Sequence, residues 1–401
     1  MKVLSVFGHP FSSLTSKGLA LWLPLSLSVL GLTLSRAGAE TGKANPNAGA
    51  GDVIVHGQFG GNIFGFELDP DGTEGLLCEA VGNSDGTVLA AVETFDPVTG
   101  QIIKVVRQTE TQDDFVALAI TGRSIGLVER EQVNGLFHVN RSYVLLDPLE
   151  GNAINGVWSA PVDRKHVIFQ VKPSLDERPD VAVYALSISL GTNPLVFRSD
   201  VARNSFGPVI EISDPSFTTE APPVLAFDPA RDQAILGHDQ PSPFILPPRL
   251  GFVNLTTGKF DKVIGLGLGV INGIAVDSDD AVLCTTTSFD FGVQFYDLVP
   301  HTGINVPIEG ADDGLFAGQD VEFDPVHKLF LIAQTFSSTS SSDSSSIQVY
   351  DIAGNFVESI NGFHFQGGFD VFPVHITLNS VQRTGFVNGP DLTTAIQSFS
   401  Y

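Results

Sequence analysis

The chain is 401 residues long, with 45 acidic and 21 basic side chains, a formal charge of -24, 43 % hydrophobic residues and 16 % charged ones. The hydrophobic share excludes a disordered chain, and two cysteines in this length exclude a small disulfide-stapled fold. The acidic balance repels nucleic-acid phosphate and favours cations or basic partners instead.

Residues 1–39 predict a secretory signal peptide. Lys2 and Lys17 precede the apolar run GLALWLPLSLSVLGLTL, and Ala37 and Ala39 supply the small residues of a cleavage site. The expected address is therefore secreted, with an organelle lumen as the alternative. No membrane association is expected after cleavage, because no later run is long and apolar enough to span a bilayer. Asn140-Arg141-Ser142 and Asn254-Leu255-Thr256 are glycosylation sequons, so a secreted form would be a glycoprotein. Residues 40–51 predict a flexible lead-in, and residues 52–401 a single domain.

The body shows short Val/Ile/Leu/Phe runs cut by Gly, Pro, Asp and Asn, the pattern of many short strands. One unit recurs: an apolar strand ending in Asp, a short turn, and a second apolar strand. Its clearest copies are GVWSAPVDRKHVIFQV (156–171), PVLAFDPARDQAILGH (223–238), GIAVDSDDAVLCTTT (273–287) and DVEFDPVHKLFLIAQ (320–334). Asp163, Asp228, Asp277 and Asp324 are read as turn-builders, since an Asp side chain accepts from the amides of its own turn. A second hairpin follows each copy, for example SIQVYDIAGNFVESI (346–360). Less regular copies occupy 62–106 and 115–151, and the tail after residue 374 supplies three strands without a fourth.

Serial four-stranded antiparallel units predict an all-β fold, a β-propeller. The expected count is seven four-stranded blades. DVIVHG (52–57), at the amino end, is expected to complete the carboxy-terminal blade, because an open ring would expose strand edges.

Residues just before the first strand of each blade converge on one channel mouth. They include Asp114, Asn155, Asn272, Asp320 and His375, with Glu67 as a further candidate. The I-N-G triplet repeats at 154–156 and 271–273. Amide and carboxylate oxygens converging on an axis would suit one divalent cation, Ca²⁺ or similar. Asn-Gly pairs equally suit tight turns with Gly at positive φ. His375 is placed to act as a general base, with a satisfied structural histidine as the other reading.

The repeat resembles the broad lactonase-like, SMP-30/gluconolactonase-like and NHL group of β-propellers over residues 52–401. The resemblance implies a cation held by Asn155, Asn272 and Asp320, with Asp114 or His375 as base. Glu67 departs from the pattern, because it lies late in its strand. Two functions follow. The first is a binding or scaffold propeller, a monomer taking a small polar ligand or a protein loop at the channel mouth. The alternative is a metal-assisted hydrolase of lactones or related esters, in which the ion activates water. The sequence leaves open whether the protein is an enzyme.

Overall fold

Among the described residues, the apolar runs form strands, and Gly-, Asp- or Asn-bearing breaks between them form turns. A computed structural model describes residues 43–69, 72–85, 87–109, 113–121, 124–131, 142–146, 153–158, 166–173, 181–188, 195–200, 205–206, 210–211, 224–238, 249–265, 270–288, 292–299, 302–307, 315–337, 345–363, 375–388 and 394–401. The regular structure among these residues is entirely β.

The chain opens with β1 (Gly49–His56). Then β2 (Asn62–Leu68), β3 (Gly75–Gly82), β4 (Val88–Phe95) and β5 (Ile102–Thr109) form one antiparallel sheet in chain order. β6 (Asp113–Thr121), β7 (Ser124–Glu131), β8 (Ser142–Leu146) and β9 (Ala153–Trp158) form the next. β10 (His166–Pro173), β11 (Val181–Ile188) and β12 (Leu195–Asp200) follow, and the short β13 (Ser205–Phe206) and β14 (Ile210–Glu211) both pair with β12. β15 (Val224–Asp228), β16 (Gln233–His238), β17 (Arg249–Asn254) and β18 (Lys259–Gly265) make the next sheet. After these come two further runs of four strands. One is β19 (Val270–Asp277), β20 (Val282–Ser288), β21 (Gly292–Asp297) and β22 (Thr302–Pro307); the other is β23 (Leu315–Asp324), β24 (Leu329–Ser337), β25 (Ser345–Asp351) and β26 (Phe356–Ile360). The last sheet holds β27 (Ile376–Asn379), β28 (Thr384–Val387) and β29 (Ala395–Ser400), with β1 paired antiparallel to β29.

The first strand of each run packs beside the first strand of the next. The neighbours are β2 and β6, β6 and β10, β10 and β15, β15 and β19, β19 and β23, β23 and β27, and finally β27 and β2. This closed cycle makes the fold an all-β propeller.

The expectation of seven separate four-stranded blades is corrected by the hydrogen bonding. Among the described residues the sheets number six: four of four strands, one of five and one of eight. The eight-stranded sheet arises because β20 and β23 run on until Ser288 pairs with Ala317, fusing two runs that would otherwise stand apart. The five-stranded sheet arises because the chain after β12 returns to it twice, at Ser205–Phe206 and at Ile210–Glu211.

The expected unit boundary at residue 156 is also corrected. Residues 153–158 continue the sheet of β8, with Tyr143 opposite Trp158, and the next sheet starts at His166. Asp163 lies outside the described residues.

Apolar side chains fill the space between sheets. Phe66, Leu77 and Phe95 of the first sheet meet Val55, Phe386 and Ile396 of the last. Phe95 and Phe386 stack edge to face at 5.3 Å. Burying one such ring contributes roughly 2–3 kcal/mol. Cys78 and Cys284 are buried, in separate sheets and not joined in a disulfide.

The hairpin turns between first and second strands share one geometry. Asp228, Asp277, Asp324 and Asn379 each accept amide hydrogen bonds through Oδ1 from residues two or three further on. Four residues after each stands a residue with positive φ: Asp232 (50°), Ala281 (58°), Lys328 (56°) and Arg383 (54°). The side-chain acceptor fixes the turn tightly enough to hold a left-handed residue that is not glycine.

Candidate functional site

The polar residues best placed to do chemistry lie where β23, β27 and β2 meet. His375 immediately precedes β27, Asp320 lies on β23, and Glu67 stands near the end of β2. The His375 ring bridges the two carboxylates, with Nδ1 at 2.8 Å from Asp320 Oδ2 and Nε2 at 3.3 Å from Glu67 Oε1. Phe66 meets the imidazole edge to face, with centroids 5.0 Å apart.

Backbone and hydroxyl groups complete the arrangement. The Ile376 amide donates to Asp320 Oδ2 at 3.1 Å, and the Val321 amide donates to Asp320 Oδ1 at 2.9 Å. Thr377 Oγ1 donates to Glu67 Oε2 at 3.0 Å and accepts from the Leu68 amide at 3.1 Å. The His375 amide donates to Asn388 Oδ1 at 2.8 Å.

Burial alone would drive His375 towards its neutral form. Hydrogen bonds to Asp320 and Glu67, and the charges of both, outweigh it and push the pKa up to about 10. The ring is therefore an imidazolium at neutral pH, donating from both nitrogens. In that state each ring nitrogen carries a proton. What it makes is a charge-assisted crosslink between three successive first strands.

Asn272 occupies a bulge in β19, between the Ile271 and Gly273 pairings. Its Nδ2 donates to the Gly318 carbonyl on β23 at 2.7 Å. A carbonyl partner at that distance requires the NH2 end of the amide. Gly273 beside it is not in a positive-φ turn. A Cβ there would lie 2.8 Å from the Val321 nitrogen and 2.9 Å from the Asp320 Cα. The glycine permits close approach of β19 to β23, and the Asn-Gly pair serves that contact rather than a turn.

Asn155 stands elsewhere. It lies on β9, the last strand of its sheet, whereas Asn272 lies on the first strand of its own. The two I-N-G triplets are not structurally equivalent. Asp114 lies on β6, with Arg130 opposite it in register. The side chains of Asn155 and Asp114 lie outside the described ones. Asp320 and His375 are thus brought together, Asn272 contacts the same strand two residues away, and Asn155 sits on a different layer of the fold.

Of the residues that the sequence resemblance assigns to a cation, the side chains of Asn272 and Asp320 are described, and both already hold protein partners. Asp320 takes N–H groups from His375, Ile376 and Val321, and Glu67 faces His375 Nε2. The imidazolium supplies the positive charge that an ion would bring. Among the described residues, no group of three or more His, Cys, Asp or Glu side chains is arranged to hold a metal. Sequence reasoning missed Thr377 and Asn388, because nothing in a linear pattern marks a threonine or asparagine as the support of a distant carboxylate.

No family model matches the chain, and no curated protein matches it either. Among solved structures it is similar to the β-propeller domain of Cps50 (Swd1) from Myceliophteria thermophila, at 13 % identity and a TM-score of 0.58, over 88 % of this chain and 99 % of that one. At that identity the likeness is one of fold. It corrects the resemblance drawn from the repeat, which pointed to the lactonase-like, SMP-30/gluconolactonase-like and NHL group. The expectations of a monomer and of a secreted or lumenal address draw no support from this likeness, which is one of fold. Residues 1–39, on which the secretion signal was read, lie outside the described residues. Among the described residues no helix is long and apolar enough to cross a membrane.

Proposed function

We propose that the chain is a binding scaffold, a propeller that offers a fixed surface to a protein partner and carries out no turnover of its own. The observation that supports this best is the His375–Asp320–Glu67 bridge. The groups that a hydrolase would keep free at the ring interior are here spent on holding strands together. The fold likeness to the Cps50 (Swd1) propeller domain agrees with a scaffold. With a formal charge of -24, the partner surface is expected to be basic.

The test has two arms. In the first, the protein is isolated from its native source under mild conditions and its hydrodynamic size is measured at low and high salt. A complex larger than the chain itself, dissolving as salt rises, is the expected result. In the second, metal content is measured on the purified protein and a panel of lactones and esters is assayed with and without chelator. Stoichiometric metal with chelator-sensitive turnover would overturn the scaffold reading in favour of a hydrolase using Asn272, Asp320 and His375 with Asn155 and Asp114.

A further inference from the structure

The connection from β1 to β2 is the covalent link across the seam of the ring, since β1 belongs to the last sheet and β2 to the first. Two buried carboxylates hold it. Glu79 on β3 and Glu93 on β4 are 1 % and 0 % exposed. Both lie on the sheet face that meets the last sheet, in step with Leu77 and Phe95. Three backbone amides of the connection donate to them: Gln58 to Glu93 Oε2 at 2.8 Å, Phe59 to Glu79 Oε1 at 2.7 Å and Gly61 to Glu79 Oε2 at 2.8 Å. The fit is close, because a Cβ on Gly57 would lie 2.2 Å from Glu79 Oε2.

One atom is left over. Glu93 Oε1 is buried without a hydrogen-bond partner. Two ionised carboxylates packed together out of water repel each other strongly, and a single proton on the pair removes that repulsion. Burial raises the Glu93 carboxyl, an amide bond from Gln58 offsets part of this, and Glu79 adds to the rise, leaving it at about 7.

Among the described residues of the surrounding elements, no cation neutralises the pair. β1 brings Asp52 and His56, both exposed. β2 brings Glu67, already bridged by His375. On β5, Lys104 and Arg107 stand opposite Thr94 and Val92, on the other face of the sheet. β28 and β29 contain no titratable side chain. β6, whose acidic residues are Asp113 and Asp114, neighbours the same sheet, whose Glu79 and Glu93 face is taken by the last one.

We propose that the ring closes on a proton: with Glu93 protonated against Glu79 the β1–β2 connection is latched, and with Glu93 ionised it loosens and β1 is freed to leave β29. The device is a pH-sensitive seam, independent of what the propeller binds.

Hydrogen exchange on the full chain at pH 5.5 and pH 8.5, corrected for intrinsic exchange rates, tests it. Protection of the amides of 53–61 should fall on going to pH 8.5, by about tenfold to a hundredfold, the range open to a group titrating near 7. Amides of β24 and β25 should not follow. In Glu93→Gln the carboxamide keeps a donor in place of the Glu93 proton, and protection of 53–61 should lose its pH dependence. Equal protection of wild type at both pH values, or a Glu93→Gln variant that tracks wild type, overturns the proposal. Should that variant fail to fold, carbonyl NMR of glutamate-labelled wild type decides: a carboxyl titrating between pH 6 and 8 is required, and its absence refutes the latch.

Discussion

His375 and Asp320 are 55 residues apart in the chain and 2.8 Å apart in space. The contact ties β27 to β23, and Glu67 on the other side of the ring extends the tie to β2. Replacing His375 by Gln removes the charge and leaves two carboxylates facing a neutral group. We expect a loss of about 2–3 kcal/mol, below the full cost of breaking a buried pair because the ring is partly exposed. Urea unfolding at pH 7 measures it, and an unchanged midpoint would contradict the crosslink.

The same residue sets an alkaline pH dependence. Its folded pKa, near 10, stands above its ordinary value of 6.5. The folded state therefore holds a proton that the unfolded chain has released. The stabilisation is complete below about pH 6.5 and is lost as pH rises through 10. Melting temperature should decline across that window in wild type and decline less in His375→Gln.

Gly273→Ala places a methyl against the backbone of Asp320 and Val321, with nothing flexible to yield. The strands must part, at a cost of about 1–3 kcal/mol. The Asn272 bond to the Gly318 carbonyl should weaken with it. Thermal unfolding of the variant, compared with Gly82→Ala at an open position, separates this clash from a general glycine effect.

Lys328 joins two successive turns. Its ammonium lies 3.1 Å from Asp277 Oδ1 and 3.2 Å from Asp279 Oδ2. Asp277 is buried, which raises its pKa while Lys328 restrains the rise. Lys328→Met leaves that carboxylate without its cation, and we expect about 1–2 kcal/mol of destabilisation at pH 7. The deficit should shrink in acid, where Asp277 takes a proton. A deficit independent of pH would point instead to the lost contact of the ammonium with the Phe323 ring.

The turns were legible because their cause is local. Asp228, Asp277 and Asp324 cap their own hairpins, and Asn379 does the same with an amide oxygen. The phase of the strands between 153 and 211 was not legible. AINGVW has the same apolar texture whether it ends one sheet or begins the next, and only pairing of Tyr143 with Trp158 assigns it. The candidate site divides the same way. His375 and Asp320 could be placed near the ring interior by position in the repeat. That they meet each other and Glu67, and so consume their own polarity, could not.

The sequence by itself determined an all-β chain of serial hairpins, because strand alternation, turn chemistry and apolar runs act over a few neighbouring residues. Only the tertiary structure decided how those hairpins merge into sheets, which strand lies innermost, and which polar groups face one another. Those outcomes depend on packing between segments tens to hundreds of residues apart. There the fit of a glycine against a backbone, or of an imidazolium between two carboxylates, settles the arrangement, and neither leaves a mark in the linear pattern.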